Sequence, residues 1–320
     1  MLIFAENFLI TNSIFNMKRL FFLFLAGIAT CVSVSAQSEV RGYVISESGE
    51  GVPYVAIYLK NRSVGIVSNL EGLYILPGSF LTEKEDTLIF SSVGFASKSI
   101  AVSMFNEKIL DGSTNVSLLA DYVQLTEIVV TPRSRSQKDY GMFHLRSISA
   151  IPMFIEGNPS TRLISFVENI EGIDKIIQTV NIAIRSGRSD KTNKLRVFFA
   201  RKTDDGFRVV NVADEEIFIT DFSNSRIRHD VSKYNIPFPK EGIGIGIEWI
   251  GEENVAQKRS ERIGLAVRTT TATSELHTWI FENDTWVQFP ALTEEDINAV
   301  PGVFLRAIQK SNARIGITAF

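Results

Sequence analysis

From residue 40 to residue 130 apolar and polar positions alternate, and turn formers break the alternation every eight to twelve residues or so. EVRGYVIS reads as a strand and ESGEGVP as a turn. In YVAIYLK, Val55, Ile57 and Leu59 share one face and Tyr54, Ala56 and Tyr58 the other, as a strand period of two requires. NRSVGIVSNLEGLYILP reads as a strand pair about a tight turn, with Asn69 and Gly72 suited to turn geometry. DTLIFSSVGFASKSIAV holds two more strands on either side of Val93-Gly94. NVSLLADYVQLTEIVVTP closes the region at Pro132, which cannot continue a central ladder. About seven short strands in ~90 residues predict a β-sandwich and leave no room for a βαβ crossover.

The pattern then changes. Residues 132 to 138, PRSRSQK, offer almost nothing to bury and predict a flexible joint. Residues 132–175 read as linker and mixed segment, in which NPSTRLISFVENIEGI fits either a short helix capped near Ser160 or Thr161 or an extended segment. From residue 176 strands resume: IQTVNIAIRS, KLRVFFARK, GFRVVNVA, EEIFITDF, RIRHDVSKY, GIGIGIEWIG, RIGLAVRT, ELHTWIFEN and TWVQFP. They predict a second antiparallel sandwich over 176–320, of jelly-roll size, with a minor helix over 292–309 interrupted by Pro301. The expected fold class is therefore all-β.

Several spaced motifs carry a resemblance. VRGYVISESGEGVPYVAIYLKNRSVGIVSNLEGLYILP, DTLIFSSVGFASKSIAV and LTEIVVTP resemble the carboxypeptidase-regulatory-like domain, placed here at 38–131. That family's turn usually reads Thr-Asp-x-x-Gly before an aromatic, and here stands as Ser68-Asn69-Leu70-Glu71-Gly72 with Tyr74. Its Ser-x-x-Gly-Tyr appears as Ser91-Ser92-Val93-Gly94-Phe95. The resemblance implies a small transthyretin-like sandwich, common at the N-terminus of exported proteins in bacteria with an outer membrane. In many relatives the LTEIVVT ending leads into the plug and barrel of a TonB-dependent receptor. About 180 residues follow it here, few for a barrel of roughly 22 strands at ~10 residues each, so something other than plug and barrel is expected. The order VNIAI, KLRVFFA, EEIFITDF and RHDVSKYNIPFPKEGIGIGIEWIG resembles the C-terminal region of exported proteins that carry the same first domain, which supports fold and secretion only.

The start of the chain fits export. From Met17, the expected true start, MKRLFFLFLAGIATCVSVSAQ gives Lys18 and Arg19, an apolar run over 20–34, and small residues ending at Ala36 before Gln37. This is the pattern of a secretory signal peptide cleaved between Ala36 and Gln37. The run is short for a membrane span, which takes ~20 residues. Cys31, the only cysteine, also admits a lipoprotein reading, although Thr30 suits it poorly. Beyond that position there is no thiol for a disulfide, a nucleophile or a zinc site.

Composition narrows the function classes. An apolar share of 45% and a charged share of 22% describe a globular chain. The net charge is −3, and removing residues 1–36 takes away Lys18, Arg19 and Glu6, a net +1, leaving −4. Nucleic-acid binding normally needs a basic surface and is not expected, nor is a transmembrane segment in the mature chain.

Catalytic chemistry is hard to find. A zinc carboxypeptidase needs His-x-x-Glu, yet three residues after His144, His229 and His277 stand Ser147, Ser232 and Ile280. No Gly-x-Ser-x-Gly elbow occurs, although a triad assembled in space leaves room for an unrecognised hydrolase. EGIGIGIEW has Ile247 where a dinucleotide loop needs its third glycine. It reads as a strand with Ile243, Ile245 and Ile247 on one face and a glycine face approached closely by a neighbour or a large ring. RSGRSDKTNKLRVFFARK reads as a solvated basic hairpin flanking buried Val197 and Phe199, or else as a patch for an anionic surface. Trp249 is expected in the core. Trp279 and Trp286 flank the hairpin WIFENDTW and are the candidate ligand contacts, as aromatic faces for sugar rings. The reading is an exported, non-catalytic cell-envelope binding protein of periplasm or outer-membrane surface, with no metal or cofactor. A cell-envelope protein or a glycan is its expected partner, and a carbohydrate-binding accessory of a surface polysaccharide system the alternative.

Overall fold

Strands follow one another almost without interruption in the computed structural model, as the alternating pattern requires. It describes residues 39–60, 65–124, 137–141, 153–156, 161–184, 194–212, 215–251, 264–269, 277–282, 285–289, 311–313 and 315–319. The Ala36–Gln37 bond, Cys31, most of the joint after Gln124 and the segment 292–309 lie outside the described residues.

The N-terminal half holds β1 (Val40–Ile45), β2 (Ala56–Leu59), β3 (Gly65–Val67), β4 (Leu73–Leu76), β5 (Thr87–Ser91), β6 (Lys98–Ala101) and β7 (Val116–Ser117). They form a three-stranded sheet, β4-β1-β7, and a four-stranded one, β3-β2-β5-β6. These are the seven strands of the expected sandwich. Tyr74, Leu76, Val44 and Val116 from one sheet meet Ile57, Leu88 and Phe90 from the other in a common core. At the β3–β4 turn Asn69 Oδ1 accepts from the backbone N–H of Glu71 (3.1 Å) and of Leu73 (2.8 Å). Gly72 has φ +79°, and a Cβ there would lie 2.4 Å from the Val44 carbonyl oxygen. One element was not anticipated: α1 (Val102–Leu110), which buries Val102 and Phe105. With Ile109 packed on the same core, its apolar residues recur at the i, i+3, i+7 spacing of one helix face.

The chain then reaches β8 (Val123–Gln124), β9 (Lys138–Gly141), β10 (Met153–Glu156), β11 (Arg162–Val167), β12 (Lys175–Ala183), β13 (Lys194–Thr203), β14 (Gly206–Asn211) and β15 (Ile217–Ile219). It continues through β16 (Arg226–Asp230), β17 (Pro237–Phe238), β18 (Ile243–Ile250), β19 (Gly264–Thr269), β20 (Thr278–Glu282), β21 (Thr285–Gln288), β22 (Ser311–Ala313) and β23 (Ile315–Ala319). An eight-stranded sheet runs β21-β20-β11-β18-β13-β14-β8, with β15 also on β13; a five-stranded sheet runs β16-β12-β23-β9, with β17 on β12. A small third sheet, β10-β19-β22, accompanies them. The two large sheets enclose one core, in which Leu163, Val197, Phe199, Ile245, Ile247 and Trp249 meet Val180, Ile182, Phe238 and Ile317.

Two sequence readings change here. Residues 162–167, left between helix and strand, are extended and central, with β20 on one side and β18 on the other. The strand opening at Val123 does not close the first sandwich. It pairs in parallel with β14 at the edge of the eight-stranded sheet, so the chain has already crossed to the second half before residue 125. Among the described residues no helix is long and apolar enough to cross a membrane.

Candidate functional site

One face of the eight-stranded sheet looks into its own core; the other carries the N-terminal half. Strand alternation sends Ile243, Ile245, Ile247 and Trp249 inward, and Gly244, Gly246, Glu248 and Ile250 toward that seam. The glycines give the space the sequence suggested: a Cβ on Gly246 would fall 2.2 Å from the Phe198 ring, and one on Gly244 2.9 Å from Ile164 Cγ2.

The next seam position is Glu248, whose neighbours lie in one row across the sheet. Register pairs Phe281 with Arg162, Arg162 with Glu248, Glu248 with Arg196, and Arg196 with Phe218. Arg162 Nε donates to Glu248 Oε1 at 3.0 Å and Arg196 Nη1 to Oε2 at 2.6 Å. The three side chains are almost completely buried, Glu248 at 1% exposure and Arg196 at 2%. The Phe281 and Phe218 rings cap the row, with guanidinium carbons 5.2 and 5.8 Å from their centroids.

The N-terminal half completes the network. Arg162 Nη2 donates to Ser91 Oγ at 2.8 Å, Arg196 Nη1 to Ser92 Oγ at 3.3 Å, and Arg196 Nη2 to the Pro53 carbonyl at 3.0 Å. Glu216, about a third exposed, takes the remaining Arg196 charge at 3.0 Å. Burial alone would lower the Arg196 pKa, but the Glu248 and Glu216 carboxylates raise it above its ordinary value. Burial holds the Glu216 carboxyl above its usual range against the pull of Arg196, with Glu248 adding to the rise. Tyr54 stacks edge-on against Phe218 at 5.1 Å and accepts from Lys194 Nζ at 3.0 Å; Tyr54, Val67, Phe218 and Ile250 form an apolar patch astride the seam. A buried charge without partners is very costly, and the N-terminal half supplies three of the partners that this row has.

Beside the row lies a cleft of about 400 Å³. Trp286, Phe281 and Phe207 come from the second half, residues 94–97 and Asp121 from the first. Trp286 Nε1 donates to the Phe207 carbonyl at 3.1 Å, which fixes the indole. Arg208 Nη1 meets Asp121 Oδ1 at 3.1 Å across the mouth, with both side chains about half exposed.

The sequence candidates therefore part company. Trp249 is in the core at 4% exposure. The hairpin β20–β21 forms, but its register pairs Trp286 with Phe281 and Trp279 with Gln288. Trp286 lines the cleft. Trp279 packs edge-on to Phe207 at 5.0 Å, with the Lys202 ammonium 5.2 Å from its ring centre. The basic run also divides: Val197 and Phe199 are buried as expected, but Arg196 is not solvated, and residues 185–193 lie outside the described residues. His277 Nδ1 lies 4.0 Å from Glu168, and burial lowers the His229 pKa. His144 lies outside the described residues. Sequence reasoning did not pick out Arg162, Arg196 and Glu248 as a site: Arg162 and Glu248 are each a lone charge among apolar strand residues, whereas Arg196 stands in a basic run.

The class that this architecture defines is an all-β protein of stacked sheets, with a seven-stranded sandwich at its N-terminal end. Residues 40–130 match the model of the CarboxypepD_reg-like domain. Over 122 residues the chain is 26% identical to the TonB-dependent receptor P39 of Formosa agariphila; the match covers 37% of this chain and 11% of the receptor. The chain thus spans about a tenth of the length of that relative.

Proposed function

We propose that this chain is an exported, non-catalytic binding module of the bacterial cell envelope, in which the CarboxypepD_reg-like sandwich and the second sheet pair present one continuous surface. The signal pattern ending at Ala36-Gln37 and the similarity to part of a TonB-dependent receptor support export to the periplasm or the outer-membrane surface. The observation that carries the reading is the buried Arg162–Glu248–Arg196 row, which holds the first half by Ser91, Ser92 and Pro53. Such a row favours one orientation of the two halves, because its guanidiniums are engaged both with Glu248 and with Ser91, Ser92 and Pro53 of the first half.

Affinity purification of the C-terminally tagged protein from its own envelope, followed by mass spectrometry, tests the reading. Recovery of an outer-membrane barrel or a glycan-uptake component is expected; recovery of the protein alone counts against it. An intact mass beginning at Gln37 is the matching test of export. A second reading, a carbohydrate-binding accessory, is favoured by one observation, the placement of Trp286 and Phe281 in the seam cleft.

A further inference from the structure

We infer that the seam cleft is a binding site for a neutral saccharide, built jointly by both halves, with Trp286 as its platform and Asp205, Asp121 and Arg208 as its hydroxyl-reading groups. The inference rests on the binding-module reading and assigns that module a ligand class and a place.

A pyranose ring has an apolar C–H face and a rim of hydroxyls that both donate and accept. A site for it needs an aromatic face held still, flanked by planar polar groups. The cleft has both. Trp286 and Phe281 lie 5.0 Å apart at 57°, and the indole is anchored by its bond to the Phe207 carbonyl. With its N–H engaged inward, the indole has only its apolar surface to offer a ligand. At the rim, Thr203 Oγ1 donates to Asp205 Oδ1 at 2.7 Å, fixing one carboxylate; Arg208 pairs with Asp121 and lies 3.9 Å from Asp205. These exposed groups supply acceptors and a guanidinium fork at the rim, the sparse polar set that gives a pocket its specificity.

Charge selects against other ligands. Arg162 also borders the cleft, held by Ser91 and by Glu248, which it shares with Arg196. The charged groups that line the cleft are thus two carboxylates and two guanidiniums, a balanced set. An anion would meet Asp121 and Asp205, and a cation would meet Arg208, whereas hydroxyls pair with either. The volume, about 400 Å³, lies in the lower part of the range of roughly 300–1,000 Å³ that small-ligand pockets take. Trp279, beneath Lys202 and against Phe207, is absent from the lining.

The test is calorimetric titration of the full mature chain with neutral tetrasaccharides of glucose, xylose and mannose, with a uronic-acid tetrasaccharide and a lysine-rich peptide as charged controls. Saturable binding of at least one neutral tetrasaccharide is expected. Trp286→Ala should weaken it about tenfold or more, the loss of ~1.4 kcal/mol. Because Trp286→Ala also removes packing on Phe207, a second variant is needed. Ala96→Trp, at an exposed position in the opposite wall, fills the cleft without touching the core and should abolish binding. No binding of any neutral tetrasaccharide at millimolar concentration, equal binding by both variants, or preference for a charged control would overturn the inference. A blank panel with an envelope partner recovered removes the cleft assignment alone; saccharide binding with no partner recovered removes the envelope-machine reading alone.

Discussion

Arg196 on β13 and Glu248 on β18 face each other in register across the middle of the eight-stranded sheet, 2.6 Å apart and almost wholly shielded from water. Arg162 approaches the same carboxylate from the other side at 3.0 Å. A carboxylate between two guanidiniums, buried at the seam beside Phe218, Phe281 and Ile250, needs a polar lid. Ser91, Ser92 and Pro53 provide it from more than 70 residues away in sequence.

Replacing Glu248 is the first test of that row. Glu248→Gln keeps the shape but leaves two buried guanidiniums with only the partly exposed Glu216 as counter-charge. Removing one member of a buried ion pair costs about 3–5 kcal/mol. At roughly 2–4 °C per kcal/mol for a chain of this order of size, Tm should fall by about 10 °C. Differential scanning calorimetry reads it directly, and an unchanged Tm would mean that the row is not closed in solution.

Gly246 gives a steric prediction. Its missing side chain is occupied by the Phe198 ring, so Gly246→Ala must displace that ring within a strand pair. Overpacking of this kind costs about 1–3 kcal/mol. Phe198→Leu in the Gly246→Ala background should recover part of the loss, giving a coupling energy well outside additivity in a double-mutant cycle. Additive effects would place the strain elsewhere.

The acid limb of stability should depend on Glu171. Lys138 and Lys175 both donate to its carboxylate, at 2.6 and 3.1 Å, and these bonds lower its pKa from 4.5 to about 2. A carboxyl depressed in the folded state contributes stability that is fully present above its unfolded pKa and is lost as pH falls through the folded value. The contribution is therefore complete above about pH 4.5 and disappears toward pH 2. Glu171→Gln should flatten the slope of Tm against pH in that window and leave the slope near neutrality as in the native protein. An identical acid limb in the variant would count against the cluster.

Much of the fold was legible because strands announce themselves by alternation. Val197, Phe199, Ile245 and Ile247 fell where their period placed them, and the glycine face of β18 was readable as a surface pressed by a ring. What was not legible depended on distant surfaces. Arg196 stands in a basic run, and nothing local tells that Ser92 and Pro53 cover it. Val123 continues an apolar stretch of the first half, yet its partner is Val210. α1 carries four polar residues in nine, and its three core contacts show only at helical spacing. The two hairpin tryptophans looked equivalent until the register set Trp286 beside Phe281 and left Trp279 under Lys202.

Through the Arg162–Glu248–Arg196 row the two halves are expected to tumble as one rigid body. Backbone residual dipolar couplings of the mature chain, aligned in a dilute liquid crystal, test it most directly. A single alignment tensor should fit the couplings of β1–β7 and of β11–β18 together. Two tensors of different magnitude in the native protein would contradict the account.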